Sequence, residues 1–165
     1  KKSKTSNGVA APTCDSSTEA PLTTDNRLIP AAELTMTMNG NKINMCEAYD
    51  LAGSDIAVFH FIDSKCYNCQ KTADALALEF KDGYAHILIF TKASIQKNEV
   101  DREFIRNQIA PDAQTAFDHS GIMDSFFRNS ERPMVVFMNR SAIGFFMESP
   151  LSNLEELKSK AATFK

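Results

Sequence analysis

Two cysteines separated by two residues carry the chemistry of this sequence. They lie in Ser64-Lys65-Cys66-Tyr67-Asn68-Cys69. A helical turn across such a spacing brings the two sulfurs close enough to bridge. The pair can then cycle between dithiol and disulfide. The reactive form of cysteine is the thiolate, and the unpaired N–H groups of a helix N-terminus stabilise negative charge. A thiol in that place can drop from about 8.5 to as low as about 3.5 in pKa. Lys65, directly before Cys66, adds a positive charge nearby.

Other uses of this spacing fit less well. Structural zinc takes four ligands, usually two such pairs or one pair with two histidines. Here the remaining cysteines, Cys14 and Cys46, are isolated, and His60, His86 and His119 have no ligand spacing. No metal site is therefore expected. Haem attachment needs a histidine after the second cysteine, where this chain has Gln70. A purely structural bridge remains open, although so tight a loop at a helix start is an unusual staple.

The elements around the pair must position it. Ile56-Ala57-Val58-Phe59-His60-Phe61-Ile62 is almost wholly apolar and β-prone, as suits a central strand covered on both faces. After the motif, Cys69, Ala73, Leu76 and Phe80 recur at helical spacing, with Gly83 as a stop. The stripe puts Cys69 on the buried face and Cys66 in the exposed first turn. Cys66 is thus expected to attack and Cys69 to resolve.

Upstream, Leu34, Met36 and Met38 alternate with threonines, Asn39-Gly40 signals a hairpin, and Ile43 and Met45 are expected to continue its far side. Downstream, residues 85–91 read as a strand, 101–109 as a helix before Pro111, 115–117 as a short strand and 121–127 as a short helix. Pro133 then precedes a strand over 134–138. Asn139-Arg140-Ser141 turns the chain into a strand over 143–147. Ser152-x-x-Glu155 reads as a capping box for a last helix with Leu154 and Leu157 facing inward.

That order resembles the thioredoxin superfamily: Cys-x-x-Cys after the first central strand and proline before the penultimate one. In its details it resembles the TlpA/ResA-like branch of extracytoplasmic thiol-disulfide oxidoreductases. The carriers are the hairpin over 34–51 with Met38-Asn39-Gly40-Asn41-Lys42, an insertion over about 94–117, and Phe117-Asp118-His119-Ser120-Gly121, similar to an Asp-x-x-Gly step. The likeness covers residues about 34–163. It implies an α/β thioredoxin-like fold, a central mixed sheet flanked by helices, with an N-terminal β-hairpin extension. It also implies a reductase of protein disulfides working without a cofactor, with an upstream protein donor or acceptor of electrons.

Residue by residue, the resemblance implies catalysis by Cys66 and Cys69 and substrate binding by Tyr67, Asn68, Arg132 and Pro133. It implies a cis Arg132–Pro133 bond, which would leave the Arg132 backbone to pair with an extended substrate segment. Lys65 and His60 are the expected tuners of thiol pKa. His60 stands six residues before Cys66, where many thioredoxins carry a buried acid that takes the resolving thiol's proton; a packed core histidine is the alternative. The chain departs from common family residues at Lys65 (often Trp), at Tyr67 and Asn68 (often including Pro) and at Thr72 (Glu in some members). Such residues help set redox poise, so reductase, oxidase and isomerase directions all stay open. The alternative function is a non-enzymatic thioredoxin-fold binding or redox-sensing module. A peroxidase setting of Thr and Arg around a lone reactive cysteine is not found.

Composition bounds the rest. The chain has 165 residues, 43% of them hydrophobic, with 12 Phe, enough to bury one ordinary core. A net charge of -3 offers no electrostatic attraction for nucleic acid. No apolar stretch approaches the ~20 residues that span a bilayer. Residues 1–30 are rich in Ser, Thr, Pro and Lys, and the first aromatic residue is Tyr49, so a flexible lead before a domain over 31–165 is expected. Because the sequence begins with Lys1, trimming of a signal or membrane anchor upstream is expected. The resemblance implies a location outside the cytoplasm. Cys46 is expected to be unpaired and partly buried; a bridge to Cys14 is the competing expectation in an oxidising compartment.

Overall fold

The computed structural model describes residue 14 and residues 22–63, 66–92, 113–127 and 132–164. Within them the strands are β1 (Arg27–Leu28), β2 (Thr35–Met38), β3 (Asn41–Asn44), β4 (Ile56–Ile62), β5 (Tyr84–Phe90), β6 (Gln114–Phe117), β7 (Met134–Met138) and β8 (Ile143–Glu148). The helices are α1 (Met45–Ala52), α2 (Tyr67–Glu79), α3 (Ile122–Phe126) and α4 (Leu154–Phe164). The strands form one mixed sheet in the order β1-β8-β7-β4-β5-β6-β2-β3. The chain thus has the expected α/β architecture, a mixed sheet flanked by helices.

β4 is central, and all seven of its residues are buried. It runs parallel to β5 and antiparallel to β7. Alternation along the strand divides its side chains between two faces. Ala57, Phe59 and Phe61 pack with Met45, Ala48 and Tyr49 of α1 and with Met123 of α3. Val58 and Ile56 pack beneath Leu76 of α2 and Leu157, Ala161 and Phe164 of α4. Ile62 lies on that second face with Cys69 and Ala73. A strand covered on both sides has no polar face, which is why its sequence reads as a continuous apolar run.

Asn39 and Gly40 turn the β2–β3 hairpin with φ of 52° and 83°, the left-handed pair that matches strand twist. The hairpin is shorter than expected. Met45 does not continue β3 but opens α1. Asn44 caps that helix: its Oδ1 accepts from Glu47 N at 2.8 Å, and Glu47 Oε1 accepts from Asn44 N at 3.0 Å. This capping box satisfies two orphan N–H groups and favours helix over strand at Met45. Gly53 ends α1 in the left-handed conformation.

At the far end, α4 begins at Leu154, so Asn153 rather than Ser152 precedes the helix. Leu157 is fully buried, and Leu154 packs against the same cluster. α2 ends at Glu79 with Phe80 as its cap, before Gly83 is reached. The helix expected over 101–109 lies outside the described residues. Arg27 and Leu28, inside the stretch expected to be a lead, pair with Gly144 and Ile143 of β8, and Ile29 is fully buried.

The expectation of an unpaired Cys46 is corrected. Cys46, in the first turn of α1, forms a disulfide with Cys14 across a sequence separation of 32, with a Cα–Cα distance of 4.9 Å. Both cysteines pack against the core cluster under α1.

Candidate redox site

Cys66 and Cys69 are joined by a disulfide at the C-terminal end of β4, with Cα atoms 5.2 Å apart. The chain leaves β4 at Asp63, and Cys66 N donates to Asp63 O at 2.8 Å. This turn ends the strand and sets Cys66 as the N-cap of α2. Its sulfur accepts from Cys69 N at 3.1 Å. The sulfur here belongs to a disulfide and marks where a Cys66 thiolate would lie. An anion there would meet the N–H group of the first helical turn.

The two sulfurs differ in exposure. Cys69 is 1% exposed, packed among Ile62, Ala73, Leu88 and Phe90. Cys66 is partly exposed. Asn68 is exposed beside them. Lys65 and the side chain of Tyr67 lie outside the described residues. Thr72, three residues after Cys69, is buried at 3% exposure and carries no carboxyl.

Pro133 stands one residue before Met134, and Met134 pairs with Phe61. The proline is therefore at the same end of β4 as Cys66. The Arg132–Pro133 peptide bond is cis. The Arg132 side chain is 13% exposed, paired with Asp124 of α3, and its guanidinium lies over the Phe61 ring at 5.6 Å from the centroid. Asp124 N in turn donates to Oδ2 of the buried Asp118 at 2.9 Å. Burial raises the Asp118 carboxyl above the ordinary carboxylate range. This Asp118–Asp124–Arg132 connection was not foreseen from the sequence. The Asp-x-x-Gly step signalled a turn, but nothing local indicated where Asp124 would reach.

His60 lies beneath α2, on the same strand face as Val58 and Ile62, and is 2% exposed. Its cross-strand partner Leu88 and its neighbour Ile62 both pack with Cys69. His60 Nε2 meets His86 Nδ1 at 2.8 Å, and His86 Nε2 meets Phe80 O at 2.7 Å. Burial first, and His86 second, hold His60 well below the usual histidine pKa; burial also lowers His86. Neutral rings result. In the sequence His86 has no ligand spacing and no local sign of a role. Its place in the second parallel strand, on the His60 face, was the signal available.

No protein-family model and no curated protein matches the sequence. Solved structures do. A thioredoxin-like protein from Aeropyrum pernix superposes with a TM-score of 0.57 at 21% identity, over 78% of this chain and 89% of that one. A secreted Mycobacterium tuberculosis disulfide oxidoreductase homologous to E. coli DsbE gives 0.56 at 16% identity, over 81% and 98%. A putative thiol:disulfide interchange protein DsbE from Chlorobium tepidum gives 0.56 at 14% identity, over 84% and 97%. At these identities the likeness is one of fold. A sheet centred on β4, a Cys-x-x-Cys disulfide at the start of α2 and a proline at the same end of the sheet agree with it: this chain has the thioredoxin fold.

Proposed function

We propose that the protein is a thiol-disulfide oxidoreductase of the TlpA/ResA-like kind, acting through Cys66 and Cys69 on disulfides of protein substrates outside the cytoplasm. One observation carries the reading: a disulfide at a helix start with one partly exposed and one buried sulfur. Cys66 attacks, because only its sulfur is both accessible and set against the first-turn N–H group. Attack breaks the substrate disulfide and leaves a mixed disulfide on Cys66. Cys69 then attacks Cys66 and releases the second substrate thiol. A donor protein upstream restores the dithiol.

Within this reading, the segment Arg132–Pro133 receives the substrate chain as an added strand, beside Tyr67 and Asn68. Lys65 favours the Cys66 thiolate. His60 accepts the proton that Cys69 must lose. A location outside the cytoplasm is supported by the second disulfide, Cys14–Cys46, since structural disulfides persist in oxidising compartments. Among the described residues no helix is long and apolar enough to cross a membrane. A tether, where present, belongs upstream.

The roles are tested by trapping. Cys69→Ser accumulates mixed disulfides with substrates, and Cys66→Ser does not; equal trapping by both overturns the assignment. Absence of Cys66-dependent turnover of a simple disulfide substrate would favour a binding or sensing module instead. Direction is read from the reduction potential of the couple. A value near about -270 mV supports a reductase, and one near about -120 mV an oxidant.

A further inference from the structure

Phe80 O can only accept a hydrogen bond, so His86 Nε2 must carry its hydrogen. In a neutral ring this leaves His86 Nδ1 bare, and a bare Nδ1 must accept from His60 Nε2. His60 is thereby held with its hydrogen on Nε2 and a lone pair on Nδ1. One carbonyl sets the tautomer of two rings in succession. The direction is also set: His86 pairs with Val58, two residues back along β4 from His60, on the side away from the cysteines. With Nε2 engaged there, Nδ1 is the nitrogen left for the side on which Cys69 packs.

We propose that His86 is a positioning residue: anchored on Phe80 O, it fixes His60 as the tautomer whose bare Nδ1 takes the Cys69 proton when the mixed disulfide resolves. The proposal rests on the reading of His60 given above and adds the group that orients it. In the step, Cys69 S–H gives its proton to His60 Nδ1. The Cys69 sulfur bonds to Cys66, the Cys66–substrate S–S bond breaks, and the substrate sulfur leaves as a thiolate. That thiolate is protonated from solvent, and the His60 imidazolium releases its proton to solvent. The cysteine pair is oxidised and the substrate sulfur reduced.

Among the described residues, His86 of β5 meets His60 directly, and Cys69 of α2 packs with Ile62 and Leu88, the strand neighbour and cross-strand partner of His60. β7 and α4 present Val135, Phe137, Leu157 and Ala161 to this face. Beyond His86 opens a cleft of about 490 Å³, where Asp74, Lys81 and Tyr84 are the other titratable groups. Burial keeps both rings neutral, which leaves the acceptor available at neutral pH.

The experiment uses the reduced protein and dithionitrobenzoate, which releases one thionitrobenzoate on attack by Cys66 and a second on resolution by Cys69. The ratio of the two rates is followed from about pH 5 to about pH 9, bracketing the histidine and thiol ranges. His86→Phe is expected to slow the second phase relative to the first by about tenfold, a part of what a positioned base contributes. Its pH profile should move toward the ionisation of the thiol alone. His86→Asn, whose Oδ1 can accept from His60 Nε2, should restore most of the rate. If His60→Leu slows resolution but His86→Phe does not, the role of His86 is wrong and that of His60 stands. If His60→Leu also matches the parent, both fall. Equal slowing by His86→Asn and His86→Phe reduces His86 to packing and overturns the proposal. Nitrogen-15 NMR of the unmutated reduced protein gives an independent check: His60 protonated on Nδ1 rather than Nε2 at neutral pH refutes it.

Discussion

At the residue scale, two paired histidines, His60 buried and His86 half-buried, couple the fold to pH. His60 and His86 both have folded-state pKa values lowered by burial. The unfolded chain therefore binds more protons than the folded one once pH falls below the unfolded histidine value of about 6.5. Stability should be flat above that value and fall as pH drops through it. Each histidine contributes a slope of up to ~1.4 kcal/mol per pH unit. Asp118, whose pKa is raised by burial, acts in the opposite sense, adding stability as pH falls through its folded value. The histidine slope is read over the interval from about pH 6.5 to about pH 5. Urea unfolding across that interval checks this, and His60→Leu should reduce the slope. A stability unchanged from neutral to mildly acid pH in the parent protein would exclude buried neutral rings.

At the element scale, β8 depends on a residue with no side chain. Gly144 sits between Arg27 of β1 and Met138 of β7, and a Cβ there would run into the Phe137 carbonyl. The obstacle is backbone of a central part of the sheet, so relief requires β7 and β8 to separate. Gly144→Ala should destabilise the protein by ~1–3 kcal/mol, the usual range for overpacking. Denaturant midpoints measure it, and a neutral effect would mean that the two strands lie further apart. α1 shows how one element was misread. Alternation through Leu34, Met36 and Met38 suggested a hairpin continuing past Ile43. The pair Asn44 and Glu47, three apart, was the local sign that a helix starts at Met45, and their reciprocal bonds show why. The strand β4 and the stripe of α2 were read correctly, because both patterns are local and one-dimensional.

At the scale of the whole molecule, the Cys14–Cys46 disulfide closes a loop of about 33 residues and ties the N-terminal stretch to α1. Constraining the unfolded chain by such a loop contributes ~2–4 kcal/mol. Replacing both cysteines by serine should lower stability by about that amount while the Cys66–Cys69 couple still turns over. A thiol count on the unreduced protein is expected to find no free thiol at either position. A free thiol at Cys46 would show that the bridge is absent. The two disulfides differ in their second sulfur: Cys69 is buried, whereas Cys14, Cys46 and Cys66 are all partly exposed.

Much of the candidate site is written in short-range spacing. Two residues between cysteines, a seven-residue run before them that is apolar except for His60, and a stripe of three-and-four spacing after them determine a strand, a turn and a helix start. Local hydrogen bonding and periodic burial act within a few residues, so sequence alone specified the Cys66–Cys69 site and the α/β frame around it. Pairings between distant segments were decided only by the folded chain. His60 meets His86 across 26 residues because parallel register sets Val58 beside His86. A shift of one residue would turn His86 to the other face of the sheet. Arg132 finds Asp124, and Cys14 finds Cys46, for the same kind of reason. Register and docking are set by the summed packing of the whole sheet and its helices, and no window of sequence contains that sum.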